Sequence, residues 1–158
     1  MASTGSRILS LEAALAWRRE AGCLVFTNGV FDLLHPGHVE YLEAARALGD
    51  HLLVAVNTDR SARGLAKGPG RPIADQTARA RVVAGLAAVD CVVLFDEPTP
   101  RDLIAALRPD ILVKGGDYAY AAMVGADLVE ATGGRIVIVP LLTGYSTSAL
   151  VERCRAAT

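Results

Sequence analysis

Residues 23–48 read CLVFTNGVFDLLHPGHVEYLEAARAL, and the reading of this stretch decides the fold. Leu24-Val25-Phe26 is an apolar run rich in β-formers and of the length of a buried strand. Asn28-Gly29 ends it, and after a short loop His35-Pro36-Gly37-His38 opens a helical pattern. Pro36 suits the first helical position, where its missing N–H has no partner to lose. It also drives His35 into extended backbone, so His35 stands just ahead of the helix and His38 in its first turn. Two imidazoles and several free backbone amides then face one spot, a combination suited to phosphate. Asn28-Gly29 would also serve a hairpin turn, but a helical pattern follows it rather than a second alternating strand.

Outward from this stretch, strand and helix patterns alternate. Residues 9–21 predict a helix with Ser10 as N-cap. The strand 23–27 leads to a helix from Pro36 to about Leu48, ended by Gly49. His51–Val56 is a second buried strand. Residues 60–73 (RSARGLAKGPGRPI) are polar, basic and glycine-rich, a loop long enough to suspect function. Helices over 75–88, 99–107, 123–132 and 146–156 separate further strands at 91–95, 111–113 and 135–141. Strands that look buried on both faces, alternating with helices, predict a doubly wound α/β sandwich. Its mostly parallel five-stranded sheet carries helices on both faces. Residues 1–158 are expected to form one domain, with 1–21 as an N-terminal extension and a core of about 22–155.

The composition narrows the function classes. The 158 residues suffice to bury roughly 68–70% of the unfolded surface. With 52% hydrophobic and only 5% aromatic residues, the core is aliphatic. A net charge of −1 gives no basic field for nucleic acid and no charge run for a membrane surface. No apolar stretch approaches the ~20 residues of a membrane span. The leading MASTGSR lacks a signal-peptide core, so a cytoplasmic protein is expected. Cys23, Cys91 and Cys154 are scattered, without CxxC spacing, and read as reduced structural thiols. His51 opens a strand and reads as structural.

In an open parallel sheet, ligands bind beyond the carboxyl ends of the strands. After the first strand come Thr27, Asn28, Gly29, Asp32, His35 and His38; after the second, Asn57, Asp59 and the Lys67–Arg71 loop. After the fourth come Lys114, Gly115, Gly116, Asp117 and Tyr118, and after the fifth Thr143 to Ser148. Arginine supplies all but two of the basic residues; the two lysines, Lys67 and Lys114, both abut glycine and both fall in this set. Compact point charges in glycine-flanked loops suit phosphate. Gly115 and Gly116 would allow close backbone approach to a ligand. No third ligand accompanies His35 and His38, so no protein-held metal is expected. The absence of GxGxxG and GxxxxGK[ST] argues against a dinucleotide dehydrogenase and a P-loop NTPase.

These residues resemble a known family. His35-Pro36-Gly37-His38 after Thr27-Asn28-Gly29-Val30-Phe31-Asp32 resembles the HxGH signature of the nucleotidyltransferase superfamily, and Ser146-Thr147-Ser148 its C-terminal signature. The match, over about residues 22–155, is most similar to the bacterial D-glycero-β-D-manno-heptose 1-phosphate adenylyltransferases. It implies a Rossmann-like fold and transfer of AMP from ATP, with Mg²⁺, to the heptose 1-phosphate, giving ADP-heptose for the lipopolysaccharide inner core. It further implies a nucleotide site of Thr27, Asn28, Gly29, Phe31, Asp32, His35, Gly37, His38, Lys114, Gly115, Gly116, Asp117, Tyr145, Ser146, Thr147 and Ser148. His35, His38 and Lys67 would be catalytic. Asp32, Asn57, Asp59, Lys67, Arg71 and, by match to the arginine of the helix after the basic loop, Arg79 would bind the sugar phosphate.

The resemblance implies a homo-oligomer acting on small molecules. Some relatives are fused behind a sugar kinase; no kinase-sized segment accompanies this chain, which predicts a stand-alone enzyme. Glycerol-3-phosphate cytidylyltransferases are also similar but carry an arginine where this chain has Leu141, and a threonine where it has Ser148. The alternatives are therefore a cytidylyltransferase acting on a small phosphorylated alcohol, or a non-catalytic nucleotide-binding module.

Overall fold

A computed structural model of the chain describes residues 3–65, 68–116 and 122–157. A 3-10 turn at Thr4–Arg7 precedes β1 (Ile8–Leu9) and α1 (Leu11–Arg18), whose N-cap Ser10 accepts a hydrogen bond from the Ala13 amide. Then come β2 (Leu24–Gly29), α2 (Pro36–Arg46), β3 (His51–Asn57), α3 (Asp59–Gly64) and α4 (Gln76–Ala84). The chain continues with β4 (Cys91–Phe95), α5 (Arg101–Leu107), β5 (Ile111–Gly115), α6 (Ala126–Ala131), β6 (Arg135–Val139) and α7 (Thr147–Ala156).

The strands form one parallel sheet in the order β1-β4-β3-β2-β5-β6. The doubly wound α/β architecture is as expected, but the sheet has six strands rather than five. Ile8 and Leu9 pair with Val92 and Val93 at the β4 edge, where the sequence predicts a helix already begun at residue 9. Residues 59–64 likewise form a helix in the segment expected to be a loop, with the Thr58 hydroxyl accepting from the Ser61 amide.

Alternate side chains of each strand enter opposite cores, which accounts for the unbroken apolar runs. Val25, Leu52, Val54, Val56, Val92 and Val113 pack with Leu42 and Ala45 of α2 and with Ala80 and Val83 of α4. Leu24, Phe26, Leu53, Ala55, Val93 and Leu112 pack on the other face with Ala14, Leu103, Ile104, Leu107 and Val129 of α1, α5 and α6. Three aspartates fix the amino edge. Asp50, Asp90 and Asp110, each directly ahead of a strand, accept the amides of Cys23, Leu52 and Leu24.

The carboxyl edge is different. β2 pairs with β3 through six residues, from Leu24↔His51 to Gly29↔Val56, but with β5 only at Val25↔Ile111 and Phe26↔Leu112. Beyond Phe26 the two strands part. The Tyr41 hydroxyl of α2 enters the gap, 2.7 Å from Thr27 Oγ1, and donates to the Val113 carbonyl at 3.2 Å. This parting falls where the chain turns from building one half of the sheet to the other, the switch point at which such sheets take ligands. Among the described residues no helix is long and apolar enough to cross a membrane.

Candidate active site

A cleft of about 390 Å³ opens over the parted ends of β2 and β5. Asn28, Gly29, Val30, Phe31, Asp32, His35, Gly37 and His38 supply one wall, Lys114 and Gly115 another, and Leu141, Leu142 and Tyr145–Ser148 the third, with Tyr41 and Arg71 also on the lining. Four segments far apart in sequence thus meet at one rim.

His35 and His38 take the positions that Pro36 dictates. His35 is the extended N-cap of α2, with φ −144° and ψ 167°, and its carbonyl accepts the His38 amide at 2.9 Å. The two imidazoles stack with centroids 3.9 Å apart and planes 24° apart. Phe31 leans on His38 at 5.5 Å and Tyr145 lies over His35 at 6.3 Å, so the imidazoles are the inner pair of a four-ring column. Gly37 makes the column possible, since a Cβ there would stand 3.1 Å from the His35 ring. Gly29 does the same for Phe31, whose ring would lie 3.0 Å from an added Cβ; Phe31 itself adopts φ 50° to fold back. Burial lowers the His35 pKa from its ordinary value, against a smaller upward pull from its own backbone. Rings this close also disfavour a second proton.

Next to the column, directly after Tyr145, Ser146 caps α7 by accepting from the Ala149 amide, and Thr147 Oγ1 reaches the Leu33 carbonyl at 3.4 Å. The helix start, with its hydroxyls and its positive dipole end, is an anion seat. Lys114 Nζ donates to Asn28 Oδ1 across the strand gap. Desolvation lowers its pKa to about 8, so it remains largely an ammonium near neutrality. Leu141 closes the cleft over Gly115 and Gly116, with Cδ2 only 2.6 Å from where a Gly115 Cβ would sit.

Asp32 is committed within the protein. Its Oδ1 accepts the Ile73 and Ala74 amides at 2.8 and 3.0 Å and its Oδ2 accepts Arg71 Nε at 2.6 Å. The carboxylate therefore fastens the end of the basic segment beside the histidines.

The cytidylyltransferase-like family profile matches residues 26–152, which span every wall of this cleft. The chain belongs to the cytidylyltransferase-like family. It is 56% identical over 143 residues to the bifunctional protein HldE of Koribacter versatilis, covering 90% of this chain and 29% of that protein. It is 51% identical over 160 residues to HldE of Gluconobacter oxydans, covering 99% of this chain and 33% of that one. The chain thus spans about a third of the length of these curated relatives. Among solved structures it resembles the lipopolysaccharide core biosynthesis protein of Thermoplasma volcanium, with 31% identity and a TM-score of 0.63 over 78% of this chain and 98% of that one.

Within this cytidylyltransferase-like frame most of the expected nucleotide residues line one cleft. Thr27 lies beneath it, fully buried against Tyr41. Gly116, at φ 95°, sits under Leu141. Lys67, Asp117 and Tyr118 lie outside the described residues. Arg79 and Asp59 stand behind the cleft. The buried Arg79 guanidinium donates to the Val30 carbonyl, the Ala74 carbonyl and Asp59 Oδ1 at 2.7, 2.9 and 2.7 Å. It thereby joins the loop after β2 to the starts of α3 and α4. Asn57 is buried, donating to Ser61 Oγ at 2.9 Å. His51 packs edge-on against Trp17, consistent with its structural reading.

The cleft's apolar residues, Val30, Tyr41, Leu141 and Leu142, escaped the sequence reading as site residues. That reading looked for polar groups after each strand, whereas the signal was two leucines just beyond the last one. Among the described residues no three His, Cys, Asp or Glu side chains gather to hold a metal ion.

Proposed function

We propose that this chain transfers AMP from ATP to D-glycero-β-D-manno-heptose 1-phosphate, releasing pyrophosphate and giving ADP-heptose for the lipopolysaccharide inner core. The observation that carries the reading is the stacked His35–His38 pair and the N-terminus of α7 lining one cleft. Such a pair of seats suits a polyphosphate, whose charge is spread over several ångströms. The apolar cover of Leu141, Leu142 and Tyr41 beside Gly115 suits the flat face of a purine. The likeness to HldE and to a lipopolysaccharide core biosynthesis protein supports the acceptor class.

In this reading an oxygen of the sugar phosphate attacks the α-phosphorus of ATP in line. The bond from that phosphorus to the bridging oxygen breaks, and pyrophosphate leaves with the electron pair. No side-chain nucleophile intervenes. The work is positioning and charge stabilisation. His35 and His38 donate to the α-phosphate oxygens as charge builds there. Ser146, Thr147 and Ser148, with the α7 amides, hold the departing pyrophosphate, and Lys67 neutralises the β- and γ-phosphates. Asn28, Gly29, Phe31, Gly115, Gly116 and Asp117 border the nucleoside. Asp32, Arg71, Asp59 and Arg79 fix the loops that frame the acceptor. The reaction belongs to the cytoplasm, where ATP is available.

The test is pyrophosphate release. ATP, Mg²⁺ and heptose 1-phosphate should give it, and CTP with glycerol 3-phosphate should not. Turnover of the second pair in preference to the first would replace this reading with a cytidylyltransferase. Tight ATP binding with no release for any sugar phosphate would leave a non-catalytic module.

A further inference from the structure

Where β2 and β5 part, the fold leaves backbone that a ladder would otherwise pair. β2 runs to Gly29 and β5 to Gly115, yet their pairing stops at Phe26↔Leu112. Continued in register, it would next join Thr27 to Val113. The Tyr41 phenol occupies that place instead. Its hydroxyl lies 2.7 Å from Thr27 Oγ1 and donates to the Val113 carbonyl at 3.2 Å, so the Thr27 hydroxyl is the donor in the first bond. Thr27 is fully buried and Tyr41 nearly so. In such surroundings successive hydrogen bonds polarise one another, and a polar group left without its partner is costly.

One oxygen thereby ties three parts of the cleft. Thr27 directly precedes Asn28 and Gly29, and Val113 directly precedes Lys114 and Gly115, all four on the lining. Tyr41 follows His38 by three residues on α2, which sets the phenol and that imidazole on one side of the helix. Gly115 gives the ring its room, since an added Cβ would stand 3.1 Å from Tyr41 Cε2. Leu42 and Ala45 press the same helix on the core through apolar contacts, which have no direction. At the carboxyl end of α2, Arg46 pairs with Asp90 at 2.9 Å and donates to the Gly49 carbonyl at 2.6 Å. Polar ties at Arg46 and at Tyr41 thus set where the helix lies on the sheet, and the Tyr41 tie is one turn from His38.

We infer that Tyr41 is a positioning residue for the transfer: its hydroxyl holds β2 and β5 apart and sets His35 and His38 in place against Lys114 and Gly115 of the neighbouring strand. The inference rests on the transfer reaction proposed above. The hydroxyl is committed to Thr27 and Val113 and acts on the reactants only through the groups it places. Without it, the Thr27 hydroxyl and the Val113 carbonyl can meet only if the strands draw together. The cleft then narrows at its base, and the helix that carries the imidazoles loses its tie to both strands.

Two variants of the full chain test this. Tyr41→Phe keeps the ring and removes only the hydroxyl; Tyr41→Phe combined with Thr27→Val removes both buried hydroxyls. The single variant should lower kcat and kcat/KM for ATP together, roughly 10–100-fold, with the KM for ATP within about threefold of the parent, since a misplacement on the order of 1 Å costs about 10²-fold. The double variant should regain much of the urea midpoint lost by the single one, because fewer polar groups are stranded, yet its kcat should stay low. A purely structural role predicts the opposite, turnover returning with stability. In proton NMR spectra the His35 and His38 ring resonances, which lie in the ring currents of Phe31 and Tyr145, should shift in both variants. Those of His51, packed on Trp17 at the start of β3, should not. Parent-like kcat in Tyr41→Phe, recovery of kcat in the double variant, or unmoved His35 and His38 resonances in both would each overturn the inference. If the parent protein turns over no sugar phosphate, the proposed reaction fails, and the resonances still decide the role of Tyr41.

Discussion

Asp32 offers the sharpest quantitative test of how this site is held. Its side chain is 1% exposed and serves three donors, the Ile73 and Ala74 amides and Arg71 Nε. Asp32→Ala would strand all three and leave a guanidinium 13% exposed without its counter-charge. Breaking one side of a buried ion pair costs roughly 3–5 kcal/mol. Asp32→Asn would keep an oxygen for the two amides but turn an N–H toward Arg71, losing a charge-assisted bond worth about 1.5–3 kcal/mol. The two variants should therefore rank in that order by urea unfolding at neutral pH.

The dependence on pH provides a second check. Burial alone would raise the Asp32 carboxyl, but the Ala74 and Ile73 amides together with Arg71 outweigh it and hold the pKa below its ordinary 3.8. The folded value being the lower one, the carboxylate's stabilisation is complete above 3.8 and is lost as the pH falls through the folded value. The gap between the parent and Asp32→Asn should accordingly close at acid pH. A loss under about 1 kcal/mol for Asp32→Ala, the scale of an exposed ion pair, would refute the clasp. So would a gap to Asp32→Asn that ignores pH.

Three further outcomes are expected. His38→Ala should lower kcat on the order of 10²–10³-fold in the pyrophosphate assay, as loss of one charge-stabilising donor does, with the circular dichroism spectrum unchanged. Because burial lowers the His35 pKa below 6.5, the unfolded chain takes up a proton there that the folded chain resists. Stability should decline as the pH drops through 6.5, and His35→Gln should flatten that decline in urea titrations. Gly49→Ala would set a Cβ 2.7 Å from the Cys23 carbonyl oxygen and should cost roughly 1–3 kcal/mol by thermal melting; Gly64→Ala, with nothing within 4 Å, should not destabilise.

Legibility in the sequence followed the physics of each element. The runs at Leu24–Phe26 and His51–Val56 announced themselves because both faces of those strands are buried, and Pro36 fixed the posture of His35 through local sterics alone. Ile8–Leu9 could not be read: two residues carry no period, and their strand character comes from pairing with Val92 and Val93 far along the chain. The Asp59–Gly64 helix was hidden by its arginines, serine and glycine, although Thr58 three residues before Ser61 was a capping signal. Residue type marked Asp32 and Asp59, and the family resemblance marked Arg79, as ligand groups. The folded chain turns them on one another and on backbone carbonyls and amides, long-range partnerships that no local pattern encodes. Leu141 shows the converse, since its place over Gly115 depends on β5 and β6 lying side by side.

The two-residue seam between β2 and β5 has a wider consequence. It divides the molecule into wings: one built by β3, β4 and β1 with their loops, the other by β5, β6 and α7. The two imidazoles follow the strand between them, and Tyr145 of the second wing closes their column. The wings meet again outside it, where Arg101 of α5 grips Asp127 of α6 with both guanidinium nitrogens, so the gap is braced on both sides of the reaction centre and a substitution in one wing is felt in the other.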